Sequence, residues 1–327
     1  FTNVTVGSGI GAIINQKYQE TPNWRLSGQH LIDLDNDNDL DLYLSNHGGG
    51  SVVALNNGNG VFTRVTTGNF PDSEIHQIYD INEDGKIDVS MTYQDGGGRW
   101  WTNNSTPGSV NLTATNITRE TNTARSQVML DFNGDGKVDW LRSAPPGLIV
   151  DLGNGSGGFT AGSLTFAIPG TTSNENANFL PADLDDDGDI DLLILTGGGY
   201  DNTVGKTSYW RNNGNQTFTD ITASSGIPAN GVLAKGIGDY DQDGDTDFIA
   251  VENKAMPPQV YLNNGSGVFT KKSNAVTGAG SGSLDYSAWG TAISTDFDND
   301  GIVDIIMNGK YYLKVLRGTG GGNFTSM

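Results

Sequence analysis

Asp296-Phe297-Asp298-Asn299-Asp300-Gly301-Ile302-Val303-Asp304 places aspartate at positions 1, 3, 5 and 9 of a nine-residue stretch, with glycine at position 6. Five more stretches follow the same plan: DLDNDNDLD from Asp33, DINEDGKID from Asp80, DFNGDGKVD from Asp131, DLDDDGDID from Asp183 and DYDQDGDTD from Asp239. Successive stretches begin 47, 51, 52, 56 and 57 residues apart. Self-similarity at such a period marks a solenoid, a propeller or an array.

Each unit has a second landmark, an Asn/Gly-rich turn running into an aromatic-Thr pair. It reads LNNGNGVFT ending at Thr63, DLGNGSGGFT at Thr160, WRNNGNQTFT at Thr219 and YLNNGSGVFT at Thr270. Asn-Gly between β-like runs is a hairpin signal. The second unit is degenerate, with STPGSVNLT after Asn104 and Leu112 in place of Phe. The unit therefore predicts four short antiparallel strands: before the acidic loop, after it, before the Asn-Gly turn, and through the Phe-Thr pair. No sustained 3.6-residue apolar period predicts a helix. Four strands in about 50 residues is the pattern of a β-propeller blade. The expectation is an all-β, single-domain propeller over residues 1–327, with six blades, or seven if the chain is a fragment of a larger ring. Phe1–Ile10 mirrors Phe218–Ile227, so a terminal strand is expected to close the ring by pairing across the termini, leaving no open edge.

The 38 Asp and Glu against 18 Lys and Arg give a formal charge of −20. That balance argues against nucleic acid and against an anionic membrane surface, both of which call for clustered Lys and Arg. No run of 18 apolar residues predicts a membrane span. With no Cys there is no disulfide framework, thiolate zinc site or Cys nucleophile. No P-loop, HExxH, Rossmann or Gly-x-Ser-x-Gly pattern is present.

Oxygen side chains at positions 1, 3, 5 and 9, with a backbone carbonyl at 7, suit Ca²⁺, which takes 6–8 oxygens. Mg²⁺ keeps more of its water and fits less well. The predicted ligand positions are Asp33, Asp35, Asp37, Asp39 and Asp41; Asp80, Asn82, Asp84, Lys86 and Asp88; Asp131, Asn133, Asp135, Lys137 and Asp139; Asp183, Asp185, Asp187, Asp189 and Asp191; Asp239, Asp241, Asp243, Asp245 and Asp247; and Asp296, Asp298, Asp300, Ile302 and Asp304. About six structural Ca²⁺ ions would cancel more than half of the net charge. Carboxylate count predicts that the loops from Asp33, Asp183, Asp239 and Asp296 bind more tightly than those from Asp80 and Asp131, where position 3 is an amide. An EF-hand is excluded, since position 12 is never Glu and the flanks are strand-like.

These loops resemble the FG-GAP/VCBS family of calcium-loop propeller repeats, found in integrin α-subunits, fungal lectins and secreted bacterial proteins. The Asn-Asn-Gly-x-Gly-x-Phe-Thr turns look most like the secreted bacterial branch. The Phe-Gly and Gly-Ala-Pro signatures are weak, Trp289-Gly290 and Ser143-Ala144-Pro145 being the nearest. The resemblance implies calcium loops and propeller topology; low Lys/Arg, absent Cys and dependence on millimolar Ca²⁺ fit an extracellular or cell-surface setting.

The implied topology places ligand-binding loops opposite the acidic hairpins. The unusual residues there are Trp24, Arg25, His47, Tyr93, Arg99, Arg125, Arg142, Tyr200, Asp201, Glu252, Tyr286 and Trp289. Aromatic rings beside Arg, Asn and Asp suit sugars, which stack on rings and need polar partners for their hydroxyls. The expected role is a non-catalytic recognition module for a glycan or an extracellular protein. Two alternatives stand beside it. One is a polysaccharide lyase or hydrolase, for which His30, His47 and His76 are the first residues to test. The other is an adhesive or structural module of a larger surface protein.

Overall fold

A computed structural model describes residues 7–21, 25–47, 50–66, 75–92, 98–117, 127–144, 147–167, 178–196, 205–214, 217–252, 256–278, 292–308 and 313–327. Its strands form six sheets, the six blades of a β-propeller. Every blade is an antiparallel meander in sequence order, as the repeat predicts.

Blade 1 is Arg25–Ile32, Asp41–His47, Val52–Asn56 and Phe62–Arg64 (β1–β4). Blade 2 is Ile75–Tyr79, Asp88–Thr92, Gly98–Asn103 and Leu112–Ile117 (β5–β8). Blade 3 is Gln127–Leu130, Asp139–Ala144, Gly147–Gly153 and Phe159–Ala167 (β9–β12). Blade 4 is Asn178–Ala182, Asp191–Thr196, Lys206–Asn212 and Phe218–Asp220 (β13–β16). Blade 5 is Leu233–Gly238, Asp247–Val251, Gln259–Leu262 and Thr270–Lys272 (β17–β20). Val276–Thr277 (β21) then leads to blade 6, Ala292–Thr295, Asp304–Asn308, Leu313–Gly320 and Asn323–Ser326 (β22–β25). In each blade the acidic loop joins the first two strands, and the Asn/Gly turn joins the last two.

The chain divides into two compact units, each with three blades; residues 131–135 of the third acidic loop belong with the second unit. Within each unit, apolar side chains from facing blades interdigitate. In the first unit, Ile32, Leu34, Tyr43 and Val53 meet Val89 of blade 2, and Ile81 and Trp100 meet Met129, Val138 and Trp140 of blade 3. In the second, Leu193, Leu195 and Tyr209 pack on Phe248, Ala250, Tyr261 and Phe269, and Ile249, Val251 and Val260 pack on Ile305, Met307, Leu316 and Phe324. Phe269 of the Phe-Thr pair stands edge-on to Tyr209 and Phe248, at ring-centre distances of 6.1 and 4.9 Å. The repeated aromatic is thus a blade-to-blade packing residue.

The chain segment entering a blade also latches onto that blade's Phe. Phe62 N–H donates to Ser8 O (2.8 Å), Phe269 N–H to Ser225 O (2.7 Å) and Phe324 N–H to Ala275 O (2.7 Å). Gly9 and Gly226 follow the first two acceptors with φ of 81° and 78°, each tucked against the partner phenylalanine's carbonyl. The mirror between the amino terminus and residues 218–227 is therefore structural at Ser8-Gly9. In the third case the segment continues as β21, pairing in parallel with β25.

Two expectations are corrected. First, a helix is present: α1, Ile10–Glu20. Ile13 is buried against Leu42, Leu44, Val52 and Ala54 of blade 1, with Ile10 and Ile14 beside it. Glu20 meets Arg64 through two hydrogen bonds of 2.9 and 2.7 Å. Second, blade 6 takes its fourth strand, β25, from its own repeat rather than from the amino terminus, whose first six residues lie outside the described residues.

Candidate functional site

The acidic loops share one internal bonding scheme. The position-1 carboxylate accepts backbone N–H bonds from positions 5 and 6: Asp33 from Asp37 and Asn38 (both 3.0 Å), Asp80 from Asp84 and Gly85 (3.0 and 2.8 Å), Asp296 from Asp300 and Gly301 (3.1 and 2.8 Å). Position 5 accepts from the N–H of position 7, as in Asp37 from Asp39, Asp187 from Asp189 and Asp243 from Asp245, each 3.0 Å.

The curl requires left-handed backbone at two positions. Position 6 is Gly or Asn38, with φ from 72° to 100°. A Cβ on Gly85, Gly136, Gly188, Gly244 or Gly301 would meet nothing within 4 Å, so conformation rather than space demands glycine. Position 4 is also left-handed: Asn36, Glu83, Asp186, Gln242 and Asn299 have φ of 58–67°. Sequence reasoning missed this, because Glu and Gln carry no left-handed signal.

Position 9 is the buried anchor. Asp41, Asp88, Asp139, Asp191, Asp247 and Asp304 are at most 2% exposed. One oxygen takes the N–H of position 2, as Asp88 does from Ile81 (3.0 Å) and Asp247 from Tyr240 (2.9 Å). The other takes the N–H of the residue opening the Asn/Gly turn: Asn56, Asn103, Gly153, Asn212, Asn263 or Gly318, at 2.7–2.9 Å. Burial pushes the Asp41, Asp88 and Asp191 carboxyls up to about 6 and Asp247 up to about 7, against these bonds.

The turn Asn does a second job that the sequence signalled only as a turn. Its side-chain N–H₂ bridges its own loop to the loop of the preceding blade. Asn103 donates to Ile87 O and Leu34 O (3.0 and 2.9 Å), Asn212 to Ile190 O and Phe132 O (3.2 and 3.1 Å), Asn263 to Thr246 O and Leu184 O (3.2 and 2.9 Å). Blades 3 and 6 have Gly153 and Gly318 there, pressed onto backbone carbonyls: a Cβ would lie 1.9 Å from Val138 O or 2.4 Å from Val303 O.

The donor set suits a hard cation. Side-chain oxygens of Asp33, Asp35 and Asp37, of Asp183, Asp185 and Asp191, of Asp239, Asp241 and Asp247, and of Asp296, Asp298 and Asp300 lie within 4.8 Å of one another in each group. Asp35 Oδ1, Asp39 Oδ1, Asp183 Oδ1, Asp185 Oδ1 and Asp241 Oδ1 are buried without a hydrogen-bond donor. Burial, with the neighbouring acids behind it, raises the pKa of Asp185 and Asp241. Converging, desolvated carboxylate oxygens without donors are a costly arrangement that a divalent cation resolves.

The sequence-predicted ligand residues are only partly visible. Trp24, Tyr93, Arg125, Tyr200, Asp201, Tyr286 and Trp289 lie outside the described residues. Arg25, His47 and Arg99 lie on β1, β2 and β7, with side chains outside the described set, and His47 ends a strand instead of occupying a turn. Arg142 is 8% exposed, bonded through Nε to Asp151 Oδ2 at 2.7 Å and set over the Trp140 ring. That geometry gives it a structural bond. Glu252 accepts from the Tyr261 hydroxyl and pairs with Lys271 at 2.7 Å. His30 on β1 is half-buried, which lowers its pKa, and stands 6.4 Å from the Tyr43 ring; His76 lies on β5.

Comparison with solved structures returns a lectin from Agrocybe aegerita whose structure explains specific recognition of non-reducing terminal N-acetylglucosamine. It is 20% identical, with a TM-score of 0.61 over 92% of this chain and 79% of the lectin. The Photorhabdus luminescens Tc holotoxin pore (17% identical, TM-score 0.48, 91% of this chain and 14% of that one) and the V. cholerae biofilm matrix protein Bap1 (14%, 0.41, 92% and 42%) are more remote. A comparison with curated protein sequences finds no match. The repeat itself is recognised at residues 80–142, 183–250 and 239–293, more than half of the chain, and on that match the protein belongs to the FG-GAP-like repeat family.

Proposed function

We propose that this protein is a calcium-stabilised propeller acting outside the cell as a non-catalytic recognition module, with a glycan as its first ligand class and an extracellular protein as its second. The observation that carries the calcium reading is the set of buried carboxylate oxygens without donors in the first, fourth and fifth loops. Bound Ca²⁺ would supply positive charge there, held by positions 1, 3, 5 and 9 and the carbonyl of position 7. The chain's own part is to brace each loop through its position-1 and position-9 carboxylates, so that metal binding becomes folding free energy.

The glycan reading draws on the shared fold with the N-acetylglucosamine-recognising lectin. It draws also on the Trp, Tyr and Arg residues that the sequence gathers in or beside the turns between second and third strands and the links between blades: Trp24, Tyr93, Tyr200, Tyr286 and Trp289, with Arg25, Arg99 and Arg125. Rings offer faces to sugar C–H groups and guanidinium groups bind hydroxyls. A glycan and polysaccharide binding screen in millimolar Ca²⁺, with absorbance followed for unsaturated products, tests the reading. Binding without product supports it. Product formation overturns it in favour of a lyase and directs substitution to His30, His47 and His76. Silence in both channels shifts the role to a protein-binding or adhesive module.

A further inference from the structure

The sixth loop differs from the others in a way that carboxylate count does not register. The residue preceding the Asn/Gly position is Leu55, Thr102, Leu152, Arg211, Leu262 or Arg317 in blades 1 to 6. Gly318 N–H donates to Asp304 Oδ1 at 2.7 Å, which fixes the register of β24 against its own acidic loop. Arg317 is thereby held beside positions 3 and 5. Its Nε lies 2.7 Å from Asp298 Oδ2 and its Nη2 3.0 Å from Asp300 Oδ2. One guanidinium spans two predicted metal ligands.

Blade 4 supplies an internal contrast. Arg211 occupies the same position, before Asn212, and acts on Asp185 through its charge. Yet Asp183 Oδ1 and Asp185 Oδ1 stay buried without a donor. The fourth loop keeps ligand oxygens in reserve, while the sixth has two of its carboxylates bridged by a cation from its own blade.

We propose that Arg317 is a tethered cation competing with metal for the sixth loop, and that it makes this loop the weakest calcium site although four carboxylates line it. The inference rests on the calcium reading above and revises the ranking by charge count. The competition is soft, because the arginine is about half exposed and an exposed ion pair is readily given up. A unit charge repelling a divalent ion at ~5 Å in water weakens binding by about tenfold.

The test is calorimetric Ca²⁺ titration of the full chain after metal stripping, with native mass spectrometry counting the ions. Arg317→Gln is expected to strengthen the weakest site by about tenfold. Arg317→Lys, which keeps the charge, is expected to leave it weak. Adding Asp298→Asn to Arg317→Gln is expected to cancel the gain and so locate it in the sixth loop. Arg211→Gln should change the profile less than Arg317→Gln does. An unchanged weakest site in Arg317→Gln, or a gain that survives Asp298→Asn, overturns the proposal and leaves the calcium reading standing. A wild-type chain that takes up no Ca²⁺ overturns both.

Discussion

Asp247 is fully buried, has both oxygens engaged by backbone N–H groups, and still has its pKa pushed up to about 7. With Asp41, Asp88 and Asp191 at about 6, the metal-free fold binds more protons than the unfolded chain, whose aspartates titrate near ~3.9. Its stability therefore falls as pH rises from about 4 through about 7. Melting in EDTA should occur at a higher temperature at pH 5 than at pH 8. In saturating Ca²⁺ the order should reverse, since the ligands must be ionised to bind. Asn263→Ala should cost about 1–3 kcal/mol in chemical unfolding, because it strips donors from Leu184 O and Thr246 O. The position-6 glycines were legible in the sequence, since few other residues accept their backbone. The bridging role of Asn103, Asn212 and Asn263 was not, because it depends on a carbonyl some 70–80 residues away.

At the scale of elements, the alternating pattern around two fixed landmarks placed all four strands of each blade, since loop and turn bound every strand on both sides. The helix α1 escaped for a physical reason. Its apolar stripe is only Ile10, Ile13 and Ile14, it starts at left-handed Gly9 without a side-chain cap, and Lys17 is drawn into its buried face. Tertiary cover of blade 1, more than local propensity, holds it in place. Ile13→Ala should cost about 2–4 kcal/mol in denaturant unfolding. Glu20→Gln, which breaks a partly exposed pair, should change stability much less than Ile13→Ala does. Equal effects from the two would show that the helix is held by its end and not by its face.

For the molecule as a whole, the proposed calcium reading predicts that a charge of −20 gathered into repeated loops makes stability depend on counter-ions. EDTA should lower the melting temperature and Ca²⁺ restore it; an unchanged midpoint would remove calcium from the fold. The repeat made the acidic loops readable, but a ligand was not, because the remaining loops vary from blade to blade and follow no period. The lengths of the outermost strands carry one more consequence. β4, β16 and β20 are three residues long, β8 is six, and β25 has its free edge covered by β21. β12 is instead nine residues, FTAGSLTFA, terminal in its sheet and free of charge and proline. Such an edge is a template for a neighbouring molecule's strand. When the fold loosens on chelation, self-association should begin at β12. Thr165→Lys, opposite half-exposed Ile149, should then slow the rise in light scattering, making this strand the place where shelf life is decided.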